Sequence, residues 1–231
     1  MPETELEHRL QTIRTELAEA SDGRYPIPRL IAVTKTHTAD EILPLKTLGI
    51  DEIGENRVQE ISEKLPVLAD VFRIHMIGRL QRNKVRQVIS KVCMIQSLDS
   101  LPLAEEIHAR ASAAGSVMPV LVEVSPAGEK QKGGIPPEEI PGFLKQVSGL
   151  TGLSVRGLMA VMPLSDDEGM LFELFRKMRT LFDRLKGESI NGIRMEELSM
   201  GMSGDYRLAA RAGATMVRIG SALLGPRAAV K

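Results

Sequence analysis

Cysteine is nearly absent from this chain: one residue in 231, Cys93, which cannot close an internal disulfide. That removes the disulfide-stapled secreted scaffold and fits a reducing cytoplasm. Aromatics are scarce, 3% with no tryptophan, so base-stacking platforms are short of material. Charge of one sign is missing too. Lys+Arg 30 against Asp+Glu 30 gives no global pull toward nucleic acid or anionic membrane. No apolar run is long enough to span a bilayer. The opening Met1-Pro2-Glu3-Thr4-Glu5 lacks the basic-then-apolar layout of a signal peptide. Neither Asn56, Asn83 nor Asn191 opens a glycosylation sequon. Four histidines without a metal-type spacing leave no zinc motif, and no metal site is expected. The G-x-S-x-G elbow, the Walker A loop and the G-x-G-x-x-G fingerprint are all absent. The expectation is a cytoplasmic globular protein with no membrane attachment.

What is present is alternation. Leu6, Leu10, Ile13 and Leu17 form one apolar stripe, a helix that Gly23, Pro26 and Pro28 end. Short apolar runs then predict strands at 30–33, 50–53, 72–77, 92–95, 119–124, 155–158, 195–198 and 215–219. Helical patterns lie between them at 40–48, 56–65, 81–89, 103–114, 137–147, 171–185 and 204–212, with a short turn at 221–224. Ser203 is the expected N-cap of the 204–212 helix and Gly213 its C′ residue. Strand–helix alternation implies parallel pairing, and eight units at about 29 residues each imply a closed (β/α)₈ barrel. An open doubly wound sheet is the alternative. One domain is expected over 1–231, with an extra N-terminal helix in 1–24 and the barrel in 29–225.

Barrels of this kind carry their chemistry at the C-terminal ends of the strands. Lys35 follows strand one directly. Either it is a solvated strand-end lysine, or the apolar mouth lowers its pKa and makes it a nucleophile able to form a Schiff base. The loops 198–205 and 217–221 pair glycines with hydroxyls, which suits an anion at a helix N-terminus or, more plainly, Gly-punctuated turns. Arg218 shares a strand face with Gly220. If that face is interior, the arginine needs a ring nitrogen, a phosphate or an ion-pair partner such as Glu197. The stretch 71–91 carries Arg73, Arg79, Arg82, Lys84, Arg86 and Lys91 without an acid. A solvated basic face balanced by Glu60 and Glu63 is favoured there over an RNA site.

Several ordered motifs together resemble the pyridoxal phosphate homeostasis protein family. They are Ala32-Val33-Thr34-Lys35-Thr36, Gly54-Glu55-Asn56-Arg57-Val58-Gln59-Glu60, His75-Met76-Ile77-Gly78-Arg79-Leu80-Gln81-Arg82-Asn83-Lys84, Arg156-Gly157-Leu158-Met159, Leu198-Ser199-Met200-Gly201-Met202-Ser203 and Thr215-Met216-Val217-Arg218-Ile219-Gly220-Ser221. The family is similar to the N-terminal barrel of alanine racemase, a fold-type III PLP architecture, and the resemblance runs from about Leu30 to Gly225.

The resemblance implies that Lys35 carries pyridoxal 5′-phosphate as a Schiff base. It also implies that Ser199, Gly220 and Ser221 hold the phosphate, that Arg218 faces the pyridine nitrogen, and that Asn56 and His75 lie near the ring. An arginine there keeps the ring nitrogen unprotonated and damps carbanion chemistry. Racemases append a β-rich domain with a catalytic tyrosine, and only Tyr25 and Tyr206 occur here. The expected function is therefore intracellular PLP homeostasis, by buffering or delivering the cofactor, without established catalysis. Apo PLP-dependent enzymes are the expected transient clients, and a monomer is expected, with a weak dimer left open. A small amino-acid racemase is the alternative, and nucleic-acid binding through 73–91 comes third. The loop 124–134 departs from the family by lacking an asparagine after Glu123-Val124, while Lys132-Gly133 remains.

Overall fold

The computed structural model describes residues 3–128, 133–188 and 190–225. Of the 124–134 loop, positions 129–132, Lys132 among them, lie outside the described residues. Strands β1 (Arg29–Val33), β2 (Glu52–Glu55), β3 (Arg73–Met76), β4 (Met94–Leu98), β5 (Met118–Val124), β6 (Leu153–Ala160), β7 (Ile193–Met200) and β8 (Met216–Ile219) close in sequence order into one parallel barrel. Closure is direct: β1 pairs with β8, Ala32 opposite Ile219. The expected (β/α)₈ barrel is what the chain forms.

Helix α1 (Glu3–Ser21) turns its stripe of Leu6, Leu10, Ile13 and Leu17 inward, all buried, against α8 (Tyr206–Arg211) and α9 (Ser221–Leu224). The long helix α7 (Glu168–Lys186) buries Leu171, Leu174, Phe175, Met178, Leu181, Phe182 and Leu185, the residues whose spacing marked it. Its Asp167 N-cap accepts from the Met170 amide. Ile31, Met94, Leu121, Met159 and Met216 form a separate apolar cluster. Strand alternation puts it inside the barrel, while the larger cluster fills the shell between strands and helices.

Several boundaries need correction: β2 lies two residues past the expected 50–53, and the helices expected over 103–114 and 137–147 are α5 (Leu101–Ala113) and α6 (Ile140–Val147). The 40–48 helix is two short ones, α2 (Ala39–Ile42) behind a Thr38–Glu41 capping box and α3 (Pro44–Thr47), because Pro44 at a first helical position starts a new turn. The 56–65 pattern begins later and runs further, as α4 (Val58–Leu68). Residues 82–87 form a 3₁₀ helix where an α-helix was expected over 81–89. Strand four starts two residues late and runs on through Gln96, Ser97 and Leu98, past the predicted end at Ile95.

At the β6–β7 junction a glycine is obligatory. Gly157 has φ +151°, and a Cβ there would sit 1.8 Å from the Glu197 carbonyl oxygen. The register between β6 and β7 shifts at this point.

Candidate functional site

Lys35 lies two residues beyond β1, half-buried, and the backbone on either side of it is clamped. The Thr34 hydroxyl donates to Glu55 Oε1 (2.6 Å), and Lys64 Nζ donates to the Thr34 carbonyl (2.9 Å). On the other side the Thr36 amide donates to Glu60 Oε2 (2.7 Å), with Thr36 held at φ +69° in the left-handed region. Lys64 ties the two halves together, reaching Glu55 Oε1 at 2.8 Å and Glu60 Oε2 at 3.3 Å. Glu60 and Lys64 stand one turn apart on α4 and therefore share a face. Burial pushes the Glu55 carboxyl above its usual range, with hydrogen bonds from Lys64 and Thr34 opposing that rise.

Across the barrel seam, β8 ends beside β1. A Cβ on Gly220 would come within 3.4 Å of the Val33 side chain and carbonyl. Immediately after it, the Gly220 and Ala222 amides both donate to Ser203 Oγ (3.2 Å each). Ser203 therefore satisfies the start of α9. The N-cap of α8 is Asp205, which corrects the expectation that Ser203 would cap that helix. Asp205 braces the turn by accepting from the Met202 amide (2.6 Å), and burial raises its carboxyl pKa. The 198–205 loop fits closely under this turn. Gly201 has φ +94°, and a Cβ there would stand 2.5 Å from the Ala209 Cβ.

Arg218 is buried on β8 and has no carboxylate within ion-pair distance among the described residues. Its Nη1 donates to Ser199 Oγ (2.6 Å) and its Nη2 to the Ala160 carbonyl (2.9 Å). Burial lowers its pKa to about 10, opposed by the more distant Asp205 and Glu123. The alternative partner, Glu197, is engaged with Arg29 (2.6 Å) and the Thr215 hydroxyl (2.8 Å). Ser199 is fully buried beneath Arg218 and its hydroxyl donates a hydrogen bond to Gln96 Oε1 (2.7 Å).

His75 sits deeper, 1% exposed on β3, with Nδ1 3.0 Å from Gln96 Nε2 and Nε2 3.7 Å from Glu52 Oε1. Burial pulls its pKa down, but Cys93 and Glu52 outweigh that and raise it to about 9. An unfolded histidine titrates near 6.5. The cation therefore stabilises the fold fully below about pH 6.5, and that contribution is lost as pH rises through about 9. Across this interval His75 should withdraw up to about 3 kcal/mol of stability, read by urea unfolding of the wild type. His75→Gln should flatten the slope, and an unchanged slope would sink the assignment.

Asn56, half-buried, follows β2, and the chain returning from β3 passes so close that a Cβ on Gly78 would lie 2.4 Å from the Asn56 carbonyl oxygen. Lys35, Asn56, Arg218, Gly220 and the exposed Ser221 therefore gather at or near the C-terminal mouth, with Ser199 just beneath and His75 in the interior. The basic stretch is divided. Arg73 begins β3 and pairs with Glu52 (3.3 Å), while Arg79 lies past the other end of that strand, beside Asp99 (3.8 Å). Glu60, expected to balance that stretch, pairs with Lys64 and Arg57. Among the described residues no cluster of three or more metal-ligating side chains occurs, and no helix is long and apolar enough to cross a membrane.

Three features escaped the sequence reading: Gln96, the Glu55–Lys64–Glu60 clamp, and the role of Ser203. For Gln96 the signal was alternation, since residues 94 and 96 share a strand face.

The family model for the alanine racemase N-terminal domain matches residues 4–228. The pyridoxal phosphate homeostasis protein of Aquifex aeolicus is 40% identical over 86% of this chain and 87% of its own. Its namesake from Synechocystis is 36% identical over 87% and 93%. Among solved structures, PipY of Synechococcus elongatus with PLP bound superposes with a TM-score of 0.83 at 34% identity, covering 95% of this chain and all of that one. The strand-end lysine, the buried arginine and the amide pair at the seam thus sit in a chain that belongs to the alanine racemase N-terminal domain family, among relatives named pyridoxal phosphate homeostasis proteins.

Proposed function

We propose that this single barrel domain binds pyridoxal 5′-phosphate at its C-terminal mouth and serves intracellular PLP homeostasis by buffering the cofactor or delivering it to apo-enzymes. The observation that carries the reading is Arg218, a buried guanidinium with two hydrogen bonds and, among the described residues, no carboxylate within ion-pair distance. Such a cation calls for an acceptor that can dock on it, and a pyridine nitrogen is one. PLP supplies an aldehyde that condenses with a lysine amine, releasing water, and Lys35 lies at the mouth, two residues past β1. The Gly220 and Ala222 amides, with the Ser203 hydroxyl already on them and Ser221 alongside, suit the phosphate. Ser199 contributes from below, as the residue that holds Arg218. Asn56 flanks the ring from β2, and His75 supports it through Gln96.

The guanidinium has only protons to give, so it keeps a ring nitrogen unprotonated and a poor sink for electrons. Two-base racemisation is further disfavoured by where the tyrosines sit. The Tyr206 hydroxyl donates to Glu16 on α1, and burial with that contact pushes its pKa up to about 12. Tyr25 lies under Arg179, 4.7 Å from the guanidinium to the ring centroid.

The test is an absorption spectrum of the purified chain with added PLP, then borohydride reduction and peptide mapping. A yellow band bleached by reduction, with the adduct on Lys35, is expected. A colourless protein in excess PLP, or an adduct elsewhere, would overturn the site. Mixing the loaded protein with an apo-enzyme tests delivery, which predicts reactivation faster than dilution into buffer alone allows.

A further inference from the structure

A string of polar side chains runs through the barrel from floor to mouth. At the floor, Arg29 and Arg73 hold Glu52 Oε1 (3.5 and 3.3 Å), and His75 Nε2 lies 3.7 Å above it. Gln96 Nε2 then meets His75 Nδ1 at 3.0 Å, Gln96 Oε1 accepts from Ser199, and Ser199 Oγ accepts from Arg218. His75, Gln96, Ser199 and Arg218 are each at least 97% buried. Gln96 is the middle member.

Its direction is set from the mouth. A guanidinium has five donors and no acceptor, so Ser199 Oγ must accept from Arg218, and the single hydroxyl proton is left for Gln96. A carboxamide can take a proton at one end and give one at the other, as this position requires. When His75 is charged, both ring nitrogens donate, and an amide N–H facing Nδ1 would meet another N–H. The amide then turns over, Oε1 accepting from the ring and Nε2 donating to Ser199 Oγ, which now accepts from both Nε2 and Arg218 while its hydroxyl proton gives up the Gln96 acceptor. Ser199 Oγ stays held in both orientations, so Arg218 keeps its seat whatever the charge on His75. The titratable and charged groups around the ring are Glu52 on β2, Cys93 just before β4 and Arg218 on β8.

We propose that Gln96 is the positioning residue of this site: its carboxamide fixes Ser199 beneath Arg218 and thereby holds the guanidinium where a ring nitrogen docks. This rests on the PLP reading of the mouth and deepens it. Removing the amide leaves the Ser199 hydroxyl and His75 Nδ1 without partners in a dry interior, and Arg218 loses its fixed support.

The experiment uses the full chain as wild type, Gln96→Leu, Ser199→Ala and the double variant, with Gln96→Met in reserve if leucine prevents folding. In the ligand-free protein, ¹⁵N spectra of the histidine ring, assigned against His75→Gln, should show the His75 Nδ1 signal displaced in Gln96→Leu. An unmoved signal overturns the string itself. With added PLP, the borohydride-stable adduct on Lys35 should still form, while the dissociation constant rises about tenfold in each single variant. The double variant should lose no more than either single one, because both substitutions break the same connection. Gln96→Glu, able to accept from Ser199 and from a charged ring, should recover most of the affinity. Wild-type affinity in Gln96→Leu, or losses that multiply to about a hundredfold in the double variant, overturns the proposal. Failure of the wild type to form the adduct would instead defeat the PLP reading, and the imidazole result would still stand alone.

Discussion

Replacing Lys35 by alanine is expected to abolish the borohydride-stable PLP adduct while leaving the barrel folded. The side chain is half-buried, but the clamp around it is built from its neighbours: the Thr34 hydroxyl and carbonyl and the Thr36 amide make the hydrogen bonds to Glu55, Lys64 and Glu60. Truncation at 35 leaves those bonds in place, so stability should change by no more than about 1 kcal/mol, as for a substitution that opens no core cavity. Two chemical facts make the loss of adduct specific. Lys64, the nearest alternative amine in this network, donates to three acceptors and is engaged as a cation, so it has no lone pair to offer. The Gly220 and Ala222 amides and the Ser203 hydroxyl, proposed above to receive the phosphate, are untouched, so Lys35→Ala is expected still to bind PLP weakly and reversibly. Mass spectrometry after reduction reads the first effect and thermal unfolding the second. An adduct surviving at wild-type level would show that the mouth holds PLP through another residue.

The barrel was legible because its signal is redundant. Eight apolar runs alternating with amphipathic segments admit few arrangements, and a two-residue error in one of them, as at β2, leaves the order unchanged. Lys35, Arg218 and Gly220 were legible for a related reason: each follows or ends a strand whose polarity is plain, so its place at the mouth follows from topology alone. What was lost is interior polarity. In a closed barrel both faces of a strand are buried, so a strand can continue through Gln96 and Ser97, both inaccessible, although polar residues after Ile95 read as the start of a loop. Lys64 was missed because a lysine on an amphipathic helix ordinarily faces water. Here it is 9% exposed, because Glu55 and the Thr34 carbonyl beneath it supply partners that helical periodicity cannot reveal. Ser203 shows a third limit. Its position before a helix made it a cap, but which helix it serves depends on the chain returning as β8, and local spacing carries no record of that.

Lys64→Met should be the most damaging single substitution at this site, and its damage should depend on pH in a way that names the cause. The methionine keeps the apolar stem but removes the charge facing Glu55, a carboxylate 1% exposed whose Oε2 already has no partner. Breaking a buried pair from one side typically costs about 3–5 kcal/mol, and the Thr34 carbonyl and Glu60 lose a donor as well. With Lys64 gone, the burial that already raises the Glu55 pKa acts with its chief opponent removed. The folded state then holds a proton that the unfolded chain releases near the ordinary glutamate value. The variant should therefore come closest to wild-type stability in mild acid and fall further behind as pH rises through the elevated pKa. Adding Glu55→Gln removes the carboxylate, and the double variant should recover part of the stability and lose the pH dependence. Urea unfolding of wild type, single and double variants at about pH 5 and about pH 8 decides the matter. A loss that is equal at both pH values, or that Glu55→Gln fails to relieve, would mean that Lys64 serves only as packing. The same variants report on chemistry, since both anchors of the Lys35 backbone pass through this cluster. Slower adduct formation in Lys64→Met, restored in part by the second substitution, would tie the buried ion pair to the position of the reactive amine.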